Sequence, residues 1–190
     1  MKPEVWMISI SNNSISTYYK EISLPTWTKH GFKVNHFEAK TPKDLSVDCN
    51  FLDFGMKNKV NGDQVEFTDT ERSIWYSNYF LWKECLEKDS PILIVEHDVC
   101  LSHEINSGVY SNDMVCLCHY KEEGRRIRLA GGSYYIKPFA AKKLLEITDK
   151  QIVTNSDHWI EKICEKVGKF SNLTSYHLND ADIGTTIVHN

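Results

Sequence analysis

Residues 92–95, Ile-Leu-Ile-Val, constrain this chain more than any other stretch. Four consecutive apolar residues after Pro91, closed off by polar ones, read as a strand buried on both faces. A strand with two buried faces needs cover on each side, and helices supply it in the α/β class. The same strand runs directly into Glu96, His97 and Asp98, so a core element ends in a cluster of ionisable groups.

The segment before it fixes the connectivity. Val5–Ile10 (VWMISI) is a short β-prone run, and Ser14 is placed to cap a helix. Pro25 is expected to break or restart that helix, and Gly31 to end it. Residues 33–38 (KVNHFE) alternate apolar and polar as a strand does. The resulting β-α-β unit favours parallel pairing. Residues 41–67 carry turn signals at Gly55 and Asn61-Gly62 and read as loop with small local elements. Thr68-Asp69 opens a long helix, with Ile74, Ser77, Asn78, Leu81, Trp82, Cys85 and Leu86 as its expected buried stripe. Strands are expected at 114–118 and 132–136, helices at 139–147 and from Ser156 to a stop at Gly168, and a loop or short strand over 177–190. Together these predict one α/β domain over residues 1–190, with a mixed, mostly parallel sheet flanked by helices.

Composition narrows the partners. The formal net charge of −4 provides no global basic field to attract nucleic acid or a membrane surface. No apolar run is long enough to cross a bilayer, and the apolar stretch near the amino terminus is too short for a secretory signal. A cytoplasmic protein without a transmembrane segment is expected. None of the six cysteines forms a Cys-x-x-Cys pair. Cys116 and Cys118 alternate, so both are expected on one strand face, and the thiols are expected to serve as small apolar groups.

In open α/β sheets, ligands bind beyond the carboxyl ends of the strands. If the strand stays extended, Glu96 and Asp98 share a side and His97 points the other way. Two carboxylates facing a crevice suit a divalent cation: oxygen ligands suit Mg2+ or Mn2+, and an added imidazole favours Mn2+. The plain alternative is a strand end whose acids only face solvent. Asp157 sits where a helix dipole stabilises an acid, and it is also a candidate general base. Gly131-Gly132 suits either close approach of the backbone to a ligand or a tight turn. Arg125, Arg126 and Arg128 form a basic run, from which one side chain would reach a phosphate.

The stretch ERSIWYSNYFLWKECLEKDSPILIVEHDVCL is similar to the central block of glycosyltransferase family 25, which includes lipooligosaccharide and collagen galactosyltransferases. Glu71, Ser77, Trp82, Glu96, Asp98 and Val99 match the family pattern. Asn78 stands where the family has His, and His97 where it has the middle Asp of Glu-Asp-Asp-Val. GGSYYIKPFAAKKLLE, NSDHWI and DADIGTTI resemble its later blocks in the same order.

The resemblance implies a GT-A fold, a Rossmann-like layer that binds a nucleotide sugar. It implies a cation, Mn2+ or Mg2+, held by Asp98 with Glu96 and completed by a late His189, with Asp180 and Asp182 competing for that place. It implies donor contacts from Ser9, Ser11, Asn12, Glu71, Glu96, Gly131 and Gly132, with Asp157 as base in an inverting transfer. The expected reaction moves galactose or glucose from a UDP-sugar to a hydroxyl of a glycan or lipooligosaccharide.

Two other readings stay open. One is a phage-type transferase acting on hydroxymethylated DNA bases, with Arg125, Arg126, Arg128, Lys137, Lys142 and Lys143 tracking phosphates and Tyr134 and Tyr135 stacking on bases. The other is a non-catalytic domain of the same fold, which the departures at Asn78 and His97 keep open. A metal-dependent phosphoesterase needs more His and Asp ligands than this chain assembles.

Overall fold

Val5, Met7 and Ser9 turn inward at every second position of β1 (Glu4–Ser9), the strand periodicity the sequence carries. The computed structural model describes residues 2–58, 62–122 and 125–177. β1 is followed by α1 (Ser14–Thr28), whose first turn is capped by the Asn13 side chain accepting from the Ser16 N–H at 2.9 Å. The helix runs through Pro25 rather than breaking there. The missing N–H costs one backbone bond near the carboxyl end. The last turn is held instead by the Lys29 N–H on the Pro25 carbonyl and by Trp27, which is fully buried and donates from Nε1 to the Val99 carbonyl at 2.8 Å. Gly31, at φ +75°, ends the unit in the left-handed region that favours glycine.

β2 (Val34–Glu38) returns parallel to β1, with Val5 opposite Val34. The described residues of 41–67 hold a 3-10 turn at Pro42–Asp44, an isolated bridge from Phe54 to Ile152 and two-residue strands β3 (Lys57–Asn58) and β4 (Gln64–Val65). Thr68 and Glu71 form a capping box at the start of α2 (Asp69–Glu87). Its buried face is Ser73, Trp75, Tyr76, Ser77, Asn78, Leu81, Trp82 and Cys85. Ile74 and Leu86 are 41% and 37% exposed, so the stripe is rotated from the expected one. The bulky rings decide the rotation: Trp75 and Trp82 pack edge to face at 5.8 Å and bury more apolar area than the two aliphatic side chains would.

After β5 (Ile92–Glu96) come β6 (Val99–Leu101), the hairpin of β7 (Met114–Glu122) and β8 (Arg125–Ile136), then α3 (Pro138–Thr148), α4 (Ser156–Val167) and β9 (Lys169–His177). The sheet order is β2-β1-β5-β8-β7-β9-β6. Ile92 and Ile94 face the core shared with α2, α3 and α4, while Leu93 and Val95 face the core that holds Trp27 of α1. The central strand is therefore buried on both faces, as its composition predicts. The sheet is mixed, but not mostly parallel: among the described residues three pairings are parallel and three antiparallel. The reason is that β8 turns back from β7 and inserts between β7 and β5.

Cys116 and Cys118 fall on opposite faces, contrary to simple alternation: Cys116 packs with Tyr134 and Cys118 with Leu117 and Val95. The cause is a shift in register. Cys116 pairs with Tyr134 and Phe170, whereas Cys118 pairs with Leu129 and Ser175. Both neighbours of β7 therefore carry extra residues opposite Leu117, and the strand changes face there. All six thiols are buried and unbridged.

Candidate active site

The topology gathers helix N-termini at one edge of the sheet. α1 follows β1, α2 precedes β5, and α4 precedes β9, which runs parallel to β7 and hence to β5. All three helices therefore start at the edge where β1 and β5 end, and their dipoles present positive potential there. Glu96 is the last residue of β5, half-buried, in register with Ile8 of β1.

The chain does not stay extended beyond Glu96. His97 and Asp98 form a turn, so the assumption that put Glu96 and Asp98 on one side of a straight strand does not hold. Asp98 is buried, at 2% exposure. Helix α1 grips the turn at three backbone points. Ser23 Oγ donates to the His97 carbonyl at 2.5 Å, Trp27 Nε1 donates to the Val99 carbonyl, and Thr26 Oγ1 accepts from the Leu101 N–H at 2.9 Å. Tyr19, one turn earlier on α1, lies 6.5 Å ring to ring from His97. Its phenol is raised above the ordinary value by burial first, then by Tyr18 and by the negative charge of Asp98.

The loop after β1 lies beside this turn. Ser9 is 1% exposed, and its hydroxyl has no hydrogen-bond partner among the described residues. Ser11 is held by Glu38 at the end of β2: its N–H donates to Oε1 at 2.9 Å and its hydroxyl donates to Oε2. Burial pushes the Glu38 carboxyl up, but the two Ser11 donors outweigh it and hold the pKa below the usual value. Asn12 is exposed at the tip of the loop.

On the other side of β5, Val95 pairs with Ser133, which brings Gly131 and Gly132 of β8 alongside the strand end. The two glycines lie within a strand at its irregular stretch, not in a tight turn. A side chain at 131 would put its Cβ 2.7 Å from Cγ of Asp157, so the space glycine leaves is filled by the Asp157 carboxylate. Asp157 is in the first turn of α4, whose N-cap is Asn155 rather than Ser156. The structure thus brings Asp157 and Gly131 into contact across two elements far apart in sequence.

Glu71 lies at the same edge but is spent locally. It accepts from the Thr68 N–H at 2.9 Å and the Thr68 hydroxyl at 3.0 Å, and pairs with Lys57. Burial raises its pKa, and Lys57 and Thr68 together bring it below the ordinary value. Asn78 sits in the core: Trp82 Nε1 donates to the Tyr134 hydroxyl at 2.9 Å, which donates to Asn78 Oδ1 at 2.7 Å. Its departure from the family pattern is thereby a satisfied buried relay. His189, Asp180 and Asp182 lie outside the described residues. Among the described residues no three His, Cys, Asp or Glu side chains cluster as cation ligands.

Tyr134 and Tyr135 are 0% and 2% exposed, so neither is available to stack on a nucleobase. Lys137 and Lys143 are engaged with Asp113 and Glu146, at 3.8 and 3.0 Å. The expected nucleic-acid surface loses its aromatic half. No helix among the described residues is long and apolar enough to cross a membrane. Glu38 and the α1 residues Ser23, Thr26 and Trp27 went unnoticed in the sequence. The available signal was position: Glu38 ends the second strand of the β-α-β unit, and the other three share one helix face.

An α/β sheet with helix N-termini and carboxylates gathered at one edge is a Rossmann-like architecture. The sequence profile of glycosyltransferase family 25 (LPS biosynthesis protein) matches residues 3–123. The chain belongs to that family and is a glycosyltransferase. Its fold is similar to the crystal structure of a glycosyltransferase involved in the glycosylation of the major capsid of PBCV-1. That alignment has 10% identity and a TM-score of 0.51, and covers 93% of this chain and 94% of the other. A CTP:phosphocholine cytidylyltransferase from Streptococcus pneumoniae (LicC) aligns with 9% identity and a TM-score of 0.45, over 95% of each chain. No curated protein sequence matches.

Proposed function

We propose that the protein transfers a hexose, galactose or glucose, from a UDP-sugar to a hydroxyl of a glycan or lipooligosaccharide acceptor, with inversion and with a divalent cation. The observation that carries this reading is a carboxylate, Asp98, buried at the carboxyl edge of the sheet in a turn that α1 fixes by backbone bonds. Ligands of open α/β sheets bind at this edge, and a carboxylate there offers hard oxygen ligands to a divalent cation.

The donor set fits Mn2+ or Mg2+ in kind, since Asp98 and Glu96 offer oxygen ligands. It is incomplete in number, so His189, diphosphate oxygens and water are the further ligands of this reading. When bound, the ion neutralises charge on the departing nucleotide diphosphate. The helix N-termini at this edge favour the same anion. Ser9, Ser11 and Asn12 border the nucleotide, with Glu38 holding the loop in one shape. Asp157 accepts the proton of the acceptor hydroxyl as its oxygen attacks the anomeric carbon. Gly131 lets that carboxylate lie flush against β8.

The test is calorimetric titration of UDP into the protein with and without Mn2+, repeated on Asp98→Ala. Binding that requires both Mn2+ and Asp98 is the expected outcome. UDP binding that ignores both the ion and the substitution would reject the metal assignment.

A further inference from the structure

A groove of about 440 Å³ lies between α2 and strands β1 and β2, and neither Glu96 nor Asp98 is in its lining. Its volume is within the range of about 300–1,000 Å³ typical of small-molecule sites. Trp6 of β1 and Phe37 of β2 line one side, and Phe80 of α2 lines the other. Lys83, Glu84 and Glu87 follow Phe80 at helical spacing and continue the α2 wall. The opposite face of α2 carries Trp75 and Trp82 into the core, while Trp6, Phe37 and Phe80 are only partly buried: they pack against the core on one side and line the groove on the other.

The charged groups of the groove are already engaged, some within it and some at its rim. Lys83 pairs with Glu87 at 3.6 Å, and Lys40 lies over the Phe80 ring at 5.2 Å. Just outside, Lys88 pairs with Glu84 at 2.9 Å and covers the Trp6 ring at 4.6 Å. A fully apolar ligand is disfavoured, because it would strip water from these ions. A polyanion is disfavoured by the carboxylates of Glu38, Glu84 and Glu87. What fits is a neutral ligand with apolar C–H faces for the rings and many hydroxyls for the carboxylates and ammonium groups. That is the chemistry of an uncharged oligosaccharide.

We infer that the groove lined by Trp6, Phe37, Phe80, Glu84 and Glu87 binds a neutral oligosaccharide segment, apart from the sugar being transferred. The inference rests on the protein being a glycosyltransferase but not on the metal or the donor. The groove reaches the reaction edge through Glu38, whose carboxylate both lines it and holds Ser11. A glycan seated there is tethered beside the donor loop while its reacting end is free to move.

The experiment applies the full chain, without donor or metal ion, to an array of immobilised neutral and anionic glycans. Phe80→Ala and the double variant Glu84→Gln/Glu87→Gln are run in parallel, with thermal melts to verify folding. The surface double variant keeps the test valid even if Phe80→Ala fails to fold. Retention on neutral glycans that weakens about fivefold or more in each folded variant, with UDP binding unchanged, is the expected result. No retention on any neutral glycan, equal retention by wild type and double variant, or preference for anionic glycans would each overturn the inference. Asp98→Ala is expected to keep its glycan retention, which separates failure of this groove from failure of the metal reading.

Discussion

The two flanks of β5 reach the same edge by opposite means. On the β1–β2 side pairing is regular and parallel, and the edge is set by local devices: an Asn13 cap, a Glu38 clamp on Ser11, and α1 bonded to the turn backbone. On the β8–β7–β9 side the edge is set by irregularity. Extra residues opposite Leu117 displace two strands, and glycine at 131 admits a carboxylate from α4. In the reaction proposed above, the regular flank borders the nucleotide, which needs a fixed frame, and the irregular flank supplies the base, a carboxylate put where regular pairing would not put it.

The largest expected break in this division comes from Asp157→Asn. Transfer is expected to fall about 10²–10⁴-fold in kcat, while UDP affinity measured by calorimetry stays unchanged. A parallel loss of UDP binding would move Asp157 to the donor side.

Gly131→Ala tests the same contact from the strand. The added Cβ collides with the Asp157 carboxylate, and displacing that group by about 1 Å is expected to lower kcat about 10²-fold. Steady-state kinetics that leave kcat intact would show that the carboxylate position does not matter.

Trp27→Phe probes the regular flank. It removes the buried donor to the Val99 carbonyl and is expected to cost about 1–3 kcal/mol in denaturant unfolding. Mn2+-dependent UDP binding should weaken with it, because the turn that carries Asp98 loses one of its three anchors. Unchanged stability would mean that another donor replaces the indole.

The smallest effect belongs to Glu38, which is largely exposed. Its folded pKa is depressed, so the carboxylate favours the folded state above its unfolded value. That contribution fades as pH falls through the lower, folded value. Melting temperatures of wild type and Glu38→Gln are therefore expected to differ slightly at neutral pH and to converge as the solution is acidified below the ordinary carboxylate value of 4.5. Divergence on acidification would reverse the sign.

What was legible in the sequence were the elements whose signal is local. Ile92–Val95 are apolar without interruption, and Thr68 with Glu71 spells a capping box, so β5 and the start of α2 could be read directly. The faces were less legible. The α2 stripe depended on which rings the core would accept, and the sides of Cys116 and Cys118 depended on a register shift created by partners more than ten residues away in sequence. Pro25 reads as a stop by local rules, and the distant contacts of Thr26 and Trp27 with Leu101 and Val99 help to hold the helix beyond it. At the site, residue types marked Glu96, Asp98 and Asp157, but nothing local pairs Asp157 with Gly131. That contact exists only once α4 lies across β8.

The grip of α1 on the Glu96–Val99 turn has a consequence for how the protein tolerates change. Ser23 and Trp27 hold the His97 and Val99 carbonyls, and Thr26 holds the Leu101 N–H. All three anchors are on the main chain, so the path of the turn does not depend on the side chain at 97. That position is an adjustable setting on a fixed mount: acid, imidazole or amide there alters the chemistry offered to a ligand while the carboxylate beside it keeps its place.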